Sequence, residues 1–249
     1  SAPQPTGRPE CPEPPAARTF PVHHHPTSSA PAPQLRLETL LVRSGTGTDP
    51  ATGAITTPIH LSTAYGHPGL GESTGYDYTR TASPTRDVLQ DALARLEAGT
   101  AAFALSSGMA ALELVTRTLA PHGSRIVALR DLYGGSFRFL EVLAEEGAAR
   151  VDFVLGLEGL RGALADPADL VIIETPTNPM MEEISIPEAA ELAHAAGARL
   201  VVDNTFYTPV VQRPLELGAD VVVHSGTKYL GGHNLSLIHI SEPTRPRLI

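Results

Sequence analysis

One lysine lies in a setting that suits covalent chemistry. Lys228 follows the apolar run 221–223, stands in the segment Ser225-Gly226-Thr227-Lys228, and precedes a Gly-Gly pair. Three consecutive valines predict a buried strand, and the glycines and hydroxyls predict a turn at its end. This stretch alone fits two interpretations equally well, a surface lysine on a turn and a lysine positioned for catalysis.

A carboxylate after another apolar run offers this lysine a partner. Asp203 follows the run 199–202 and precedes Asn204 and Thr205. Such a carboxylate either caps a helix or pairs with a buried cation, and the residue alone does not decide between the two. Together with Lys228 it matches what pyridoxal 5′-phosphate (PLP) chemistry requires. That chemistry uses an amine that forms a Schiff base and a carboxylate that keeps the pyridine nitrogen protonated.

A third segment offers a place for a phosphate group. Ser106-Ser107-Gly108-Met109 lies between an apolar run and an amphipathic stretch. Free backbone N–H groups at a helix N-terminus attract anions. The signal is weak by itself, because many strand-to-helix turns contain serine and glycine. The sequence contains neither a P-loop nor the glycine fingerprint of a Rossmann dinucleotide site.

The elements that must position these residues alternate along the chain. Apolar runs predict strands at 103–105, 125–130, 151–154, 170–174, 199–202 and 220–224. Amphipathic stretches predict helices at 35–42, 84–98, 108–119, 137–146 and 187–196. This alternation predicts an α/β fold with a mainly parallel sheet covered by helices on both faces. Ligands of such sheets bind beyond the carboxyl ends of the strands, where this chain has its polar clusters: 106–109, 131–136, 175–178, 203–205 and 225–228.

The composition bounds the possible partners and compartment. The chain has 249 residues and a net charge of -9, which gives no electrostatic basis for binding nucleic acid or an anionic membrane. No apolar run approaches the length of a membrane span. A single cysteine, Cys11, fits a reducing cytoplasm. We predict no metal site, because His23-His24-His25 stands in a proline-flanked tail.

Composition also divides the chain into four parts. Residues 1–34 are rich in Pro and Ala and predict a disordered leader. Residues 35–98 hold the first predicted helices, and residues 99–234 hold the alternating strands and helices. Residues 235–249 show none of the preceding pattern and are interpreted as a non-native tail.

Six ordered motifs together carry a family resemblance. They are Tyr78-Thr79-Arg80, Ser107-Gly108-Met109, Asp131-Leu132-Tyr133-Gly134-Gly135, Glu174-Thr175-Pro176-Thr177-Asn178-Pro179, Asp203-Asn204-Thr205-Phe206, and the segment 225–233. From about residue 35 to 234 the chain resembles the Cys/Met-metabolism family of PLP enzymes, the transsulfuration enzymes. The resemblance implies the aspartate-aminotransferase fold (fold type I), with residues 35–98 as an N-terminal arm with the first helices and residues 99–234 as an incomplete large domain that binds PLP. Within the family, segments 71–78 and 206–220 look most like bacterial cystathionine γ-synthase and O-acetylhomoserine thiolyase.

The resemblance implies catalytic roles for two residues and a cofactor contact for a third. Lys228 is the expected Schiff-base lysine and the later proton shuttle. Tyr133 is expected to stack on the pyridine ring, and Asp203 to pair with the ring nitrogen.

The remaining implied contacts surround the cofactor phosphate and the substrate. The N–H groups of Gly108 and Met109 and the hydroxyls of Ser225 and Thr227 are expected to bind the phosphate. Asn178 is expected near the cofactor O3′ and the substrate carboxylate. The resemblance further implies that Tyr78 and Arg80 bind the phosphate of a neighbouring subunit, in a homodimer that pairs into a homotetramer.

The implied reaction is γ-replacement on an O-acylhomoserine, which gives cystathionine with cysteine or homocysteine with sulfide. A γ- or β-lyase of the same family remains an alternative, because these enzymes share their cofactor residues. Family members continue with a C-terminal domain whose arginine binds the substrate carboxylate, and we expect that domain to be missing. A second alternative is therefore a truncated PLP-binding fragment without turnover.

Overall fold

The computed structural model describes residues 35–47, 49 and 51–233. The predicted leader 1–34 and the predicted tail 235–249 lie outside the described residues, and the boundary after residue 98 stays a prediction. Within the described ranges, no helix combines the length and the apolar character that spanning a bilayer requires.

Five strands of the described chain form one sheet. They are β1 (Ser124–Leu129), β2 (Ala149–Val154), β3 (Leu170–Glu174), β4 (Arg199–Asp203) and β5 (Val221–Val223). The order across the sheet is β2-β1-β3-β4-β5, and every neighbouring pair is parallel. The carboxyl ends of all five strands therefore lie at the same edge of the sheet, and the predicted parallel α/β architecture is confirmed.

Helices connect and cover the strands. They are α1 (Leu37–Arg43), α2 (Pro84–Leu96), α3 (Gly108–Leu119), α4 (Gly134–Glu145), α5 (Gly156–Ala163), α6 (Ile186–Ala195) and the short α7 (Thr208–Val211), and Pro214–Leu217 forms a 3₁₀ turn. Proline stands in the first turn of both α2 and α6, where no backbone N–H is needed.

The core lies where helices α3 to α6 pack against the sheet. Strand β3 is buried along its whole length, as expected for an apolar run in the middle of a parallel sheet. Leu140 of α4, Leu160 of α5 and Ala193 of α6 belong to the same buried cluster. Each fully buried leucine contributes roughly 1.5–3 kcal/mol to folding. This packing holds the strand ends that carry the polar clusters.

One predicted strand is wrong. Residues 103–105 form no strand, and Phe103 is 73% exposed. Among the described residues, no strand pairs with this segment, and a side chain holds its backbone instead. Ala104 N donates to Gln90 Oε1 at 3.0 Å. Three apolar residues in a row do not make a strand without a partner strand for their N–H and C=O groups.

Two helices, α5 and the four-residue α7, were not predicted. The segment 156–163 contains three glycines, which lower its intrinsic helix propensity. Tertiary packing overrides this cost in α5: Leu160 is fully buried, and a Cβ on Gly159 would lie 3.1 Å from Val154 Cβ. The small residue at 159 therefore lets the helix approach β2 closely.

Candidate active site

A cavity of about 260 Å³ opens at the carboxyl edge of the sheet. The residues that line it are Ser107, Gly108, Met109, Leu112, Tyr133, Ser136, Glu174, Asn178, Asp203, Thr205, Phe206, Ser225, Thr227 and Lys228. Eight of the ten predicted site residues are in this set, and Tyr78 and Arg80 are not. The structure thus brings these eight residues together, while their roles stay predictions.

The turn after β5 presents Lys228 to the cavity. Lys228 N donates to Ser225 O at 3.1 Å, and Gly232 N donates to Lys228 O at 3.0 Å. Gly231 N donates to Gly226 O at 2.8 Å, and a Cβ on Gly231 would lie 2.7 Å from that oxygen. Only glycine fits this close approach. Lys228 is also the only lysine in the sequence.

The N-terminus of α3 lies at the same cavity. Ser107 is the N-cap residue, and its Oγ accepts a hydrogen bond from Ala110 N at 3.1 Å. The N–H groups of Gly108 and Met109 bind no other group in the described part of the chain. Two free N–H groups at the positive end of a 12-residue helix can bind an anion. These groups, at Gly108 and Met109, form the anion seat.

A threonine hydroxyl connects Asp203 to the turn that carries Lys228 (residues 225–232, the lysine turn). Thr205 Oγ1 donates to Asp203 Oδ1 at 2.5 Å and accepts from Ser225 N at 2.9 Å. Thr205 N also donates to Asp203 Oδ1, at 3.0 Å. Burial raises the pKa of Asp203, and the bonds from Thr205 and the nearby His224 oppose that rise. Within the described residues Oδ2 of Asp203 accepts no hydrogen bond, so this oxygen is available to a ligand.

Glu174 is a cavity residue to which the sequence assigned no role. It ends β3 beside Asp203, and the Cα atoms of the two residues are in register. Burial, with the charge of Asp203 as the second cause, raises the pKa of Glu174 to about 8. Its Oε2 accepts a hydrogen bond from Tyr133 N at 2.6 Å. The available signal was the same as for Asp203, a carboxylate at the carboxyl end of a buried strand.

The Tyr133 ring occupies a space that a glycine keeps open. A Cβ on Gly135 would lie 2.5 Å from Tyr133 Cε1 and 3.0 Å from Met109 Sδ. Tyr133 as a whole residue is 46% exposed and lines the open cavity. Asn178, four residues beyond the end of β3, is partly buried and completes the predicted residues of the cavity.

A buried polar network joins the residues that follow three strands. Glu97 Oε1 lies 2.5 Å from His224 Nε2 and accepts from Asn204 Nδ2 at 3.3 Å. Gln212 Nε2 donates to Asn204 Oδ1 at 3.0 Å and to Thr175 O at 3.1 Å. Thr175, Asn204 and His224 directly follow β3, β4 and β5. The network therefore fixes the strand ends from which Glu174, Asp203 and the lysine turn extend.

Tyr78 and Arg80 do not line the cavity of their own chain. Both are exposed, and Arg80 Cζ lies 4.7 Å from the centroid of the Tyr78 ring. The pair forms a cation–π contact on the N-terminal arm.

The cavity combines three chemical capabilities. The start of α3 can bind an anion, Asp203 can pair with a basic ring nitrogen, and Lys228 supplies a primary amine. A phosphorylated pyridine with an amine-reactive substituent fits this donor set, and PLP is such a molecule.

Comparison with known proteins identifies related sequences. The family described as Cys/Met metabolism PLP-dependent enzyme matches residues 38–240. A Bacillus subtilis protein, cystathionine gamma-synthase/O-acetylhomoserine (thiol)-lyase, is 48% identical over 200 residues, which are 80% of this chain and 53% of that protein. Cystathionine gamma-lyase of Bacillus subtilis is 41% identical over 202 residues, again 80% of this chain and 53% of the relative.

A solved structure shows the same fold. Cystathionine gamma synthase from Xanthomonas oryzae pv. oryzae, in complex with aminoacrylate and cysteine, superposes with a TM-score of 0.78 and 42% sequence identity. The match covers 80% of this chain and 52% of that one. The chain thus spans about half the length of the relatives that it matches.

Proposed function

Because the chain belongs to the Cys/Met metabolism family of PLP-dependent enzymes, we propose that its cavity binds PLP and that Lys228 is the covalent attachment site. The placement of Lys228, Asp203 and the N-terminus of α3 around one cavity carries this proposal. In the proposed complex, Gly108 and Met109 N–H groups and the Ser225 and Thr227 hydroxyls bind the phosphate.

Two side chains are proposed to hold the ring and one amide to orient the substrate. When bound, PLP supplies an amine-reactive aldehyde and a ring that withdraws electrons from the substrate Cα. Asp203 pairs with the ring nitrogen through its free Oδ2, and this pairing requires the ionised carboxylate. Tyr133 stacks on the ring face. Asn178 lies near the ring O3′ and the substrate carboxylate.

Lys228 is the proposed proton carrier. Its Nζ takes the proton from Cα of the amino-acid substrate and then assists proton transfer at Cβ. The hydrogen-bonded turn holds the backbone of this residue in place, so the amine moves only through its own side-chain torsions. Substitution of Lys228 therefore removes both the attachment site and the base.

The proposed reaction is γ-replacement on an O-acylhomoserine. An acyloxy group leaves Cγ as a carboxylic acid, and a thiol sulfur bonds to the same carbon. Cysteine as the thiol gives cystathionine, and sulfide gives homocysteine. A relative that is 48% identical and has both activities in its name supports this assignment.

Tyr78 and Arg80 support a proposed homodimer or homotetramer with shared active sites. Both residues lie outside the cavity of their own chain and are exposed. In the proposed assembly they bind the phosphate in the cavity of a neighbouring copy. Because the chain has one cysteine, the proposed compartment is the reducing cytoplasm.

Cofactor binding can be tested at a single residue. Addition of PLP should produce the absorption band of the lysine-bound cofactor, and borohydride reduction should fix the label. Since Lys228 is the only lysine, the peptide that contains it should carry the label, and Lys228→Ala should lose the band. A label found outside the peptide that contains Lys228, or one retained in Lys228→Ala, would contradict the proposal.

Assays with different substrates distinguish γ-replacement from the two alternatives, a lyase and a cofactor-binding fragment. The 41% identity to a γ-lyase favours cleavage of cystathionine as the second candidate reaction. An assay of acylhomoserine plus cysteine, run beside an assay of cystathionine alone, distinguishes synthesis from cleavage. A chain that takes up PLP at Lys228 and converts neither substrate would be a cofactor-binding fragment, in accord with its coverage of about half of each relative.

A further inference from the structure

We propose that Glu174 is a positioning residue of the cavity, whose carboxyl group holds Tyr133 where its ring can stack on the cofactor. This inference rests on the proposed PLP site. It concerns a residue that makes no proposed contact with the substrate and acts through the main chain of Tyr133.

The contact joins two elements that lie far apart in sequence. Glu174 is the last residue of β3, and only 4% of it is exposed. Its Oε2 accepts from Tyr133 N at 2.6 Å across a separation of 41 residues. Tyr133 is the N-cap residue of α4, and its own side chain makes no capping bond. The sheet thus supplies the oxygen that fixes the start of this helix.

Tyr133 is held in place at two points, its backbone nitrogen and its ring. Glu174 holds the backbone nitrogen, and the absence of a Cβ on Gly135 leaves the ring its place beside Met109. A shift of the Tyr133 backbone would move the ring against these neighbours. The Glu174 bond therefore controls the orientation of the ring.

Two carboxyl groups stand side by side at this edge, and burial raises the pKa of both. Asp203 accepts two bonds from Thr205 and lies near His224, whereas Glu174 accepts one bond from Tyr133. The bonds to Asp203 favour its ionised form, and its charge in turn raises the pKa of Glu174. A protonated Glu174 keeps one oxygen as an acceptor for Tyr133 N. A glutamine at this position would offer the same oxygen.

The test compares Glu174→Ala with Glu174→Gln in the full chain. Loss of the acceptor in Glu174→Ala should speed hydrogen exchange at the Tyr133 amide. It should also weaken PLP binding about tenfold, because losing one hydrogen bond of about 1.4 kcal/mol changes the dissociation constant by that factor. Glu174→Gln should keep both quantities close to wild type, within roughly threefold. Exchange is read by mass spectrometry on the peptide that contains Tyr133, and PLP binding by absorbance titration.

Two further variants serve as a control and as a replacement for a variant that does not fold. Glu191→Ala removes an exposed carboxylate on α6 and should change neither measurement. If Glu174→Ala does not fold, Glu174→Leu fills a similar volume without an acceptor and should give the same losses. Unchanged exchange or unchanged PLP affinity in the folded variant that lacks the acceptor would overturn the inference. A wild-type chain that takes up no PLP would overturn the proposed function as well, while exchange at Tyr133 would still report whether the Glu174 bond exists.

Discussion

Gly108 and Ser225 approach each other so closely that a Cβ on Gly108 would lie 3.1 Å from both Cα and Cβ of Ser225. Gly108 begins α3, and Ser225 begins the turn that carries Lys228. The anion seat and the lysine turn are therefore in direct contact. The distance between the two depends on the absence of a side chain at residue 108.

Substitution Gly108→Ala should separate the anion seat from the lysine turn. The added methyl group needs a shift of a few tenths of an ångström, which costs roughly 1–3 kcal/mol in a packed region. We expect PLP affinity to fall about tenfold in absorbance titrations. Gly162→Ala is the matched control, because its Cβ would meet no atom within 4 Å. Equal PLP affinities in the two variants would contradict the importance of this contact.

Substitution Thr205→Val should disconnect Asp203 from the lysine turn. The valine keeps the shape of the side chain but loses the oxygen that accepts from Ser225 N and the proton donated to Asp203. The Ser225 N–H is partly buried, so leaving it without an acceptor costs up to about 1–3 kcal/mol, which urea unfolding can measure. Thr205→Ser keeps the hydroxyl and should regain most of the loss. If valine and serine variants unfold at the same urea concentration, the hydroxyl has no structural role.

The strands were predictable because the sheet is buried on both faces. Residues 170–173 form an unbroken apolar run, and the predicted strand 170–174 coincides with β3. Since parallel strands end at one edge, the polar residues after each strand could be expected to meet there. Neither argument needs knowledge of side-chain contacts.

The role of Glu174 and the false strand at 103–105 depend on contacts that the sequence does not show. The partner of Glu174 is a backbone N–H 41 residues away, and the proton on its carboxyl group follows from burial beside Asp203. The segment 103–105 is as apolar as a strand, but it has no neighbouring strand in the part of the chain that the structure describes. Both outcomes are decided by packing between distant elements.

The Glu174 carboxyl group should make folding stability depend on pH. Its pKa rises from 4.5 to about 8 on folding, so between these values the folded chain keeps a proton that the unfolded chain has released. This contribution to stability is complete below pH 4.5 and is lost as the pH rises through about 8. Glu174→Gln removes the titratable carboxyl group. Relative to wild type, the free energy of unfolding of this variant should therefore rise by up to about 1.4 kcal/mol per pH unit over this window.

Urea unfolding of wild type and Glu174→Gln at a series of pH values checks this sign. Glu191→Gln changes an exposed carboxylate and should follow the wild-type curve. A difference between Glu174→Gln and wild type that stays constant across the window would show that Glu174 is ionised in the folded chain.

The contact between Glu97 and His224 should be strongly coupled, because both side chains are nearly buried, with exposed fractions of 7% and 11%. Either single leucine substitution breaks this contact and leaves a nearly buried polar group short of one partner, at a cost of roughly 3–5 kcal/mol. The double variant removes both groups and should lose less than the sum of the single variants, with a coupling above about 1 kcal/mol. The exposed pair Glu113 and Arg117 is the control, and its cycle should give below about 0.5 kcal/mol. Urea unfolding of all variants measures both cycles, and equal couplings would show that the network at the strand ends does not depend on this contact.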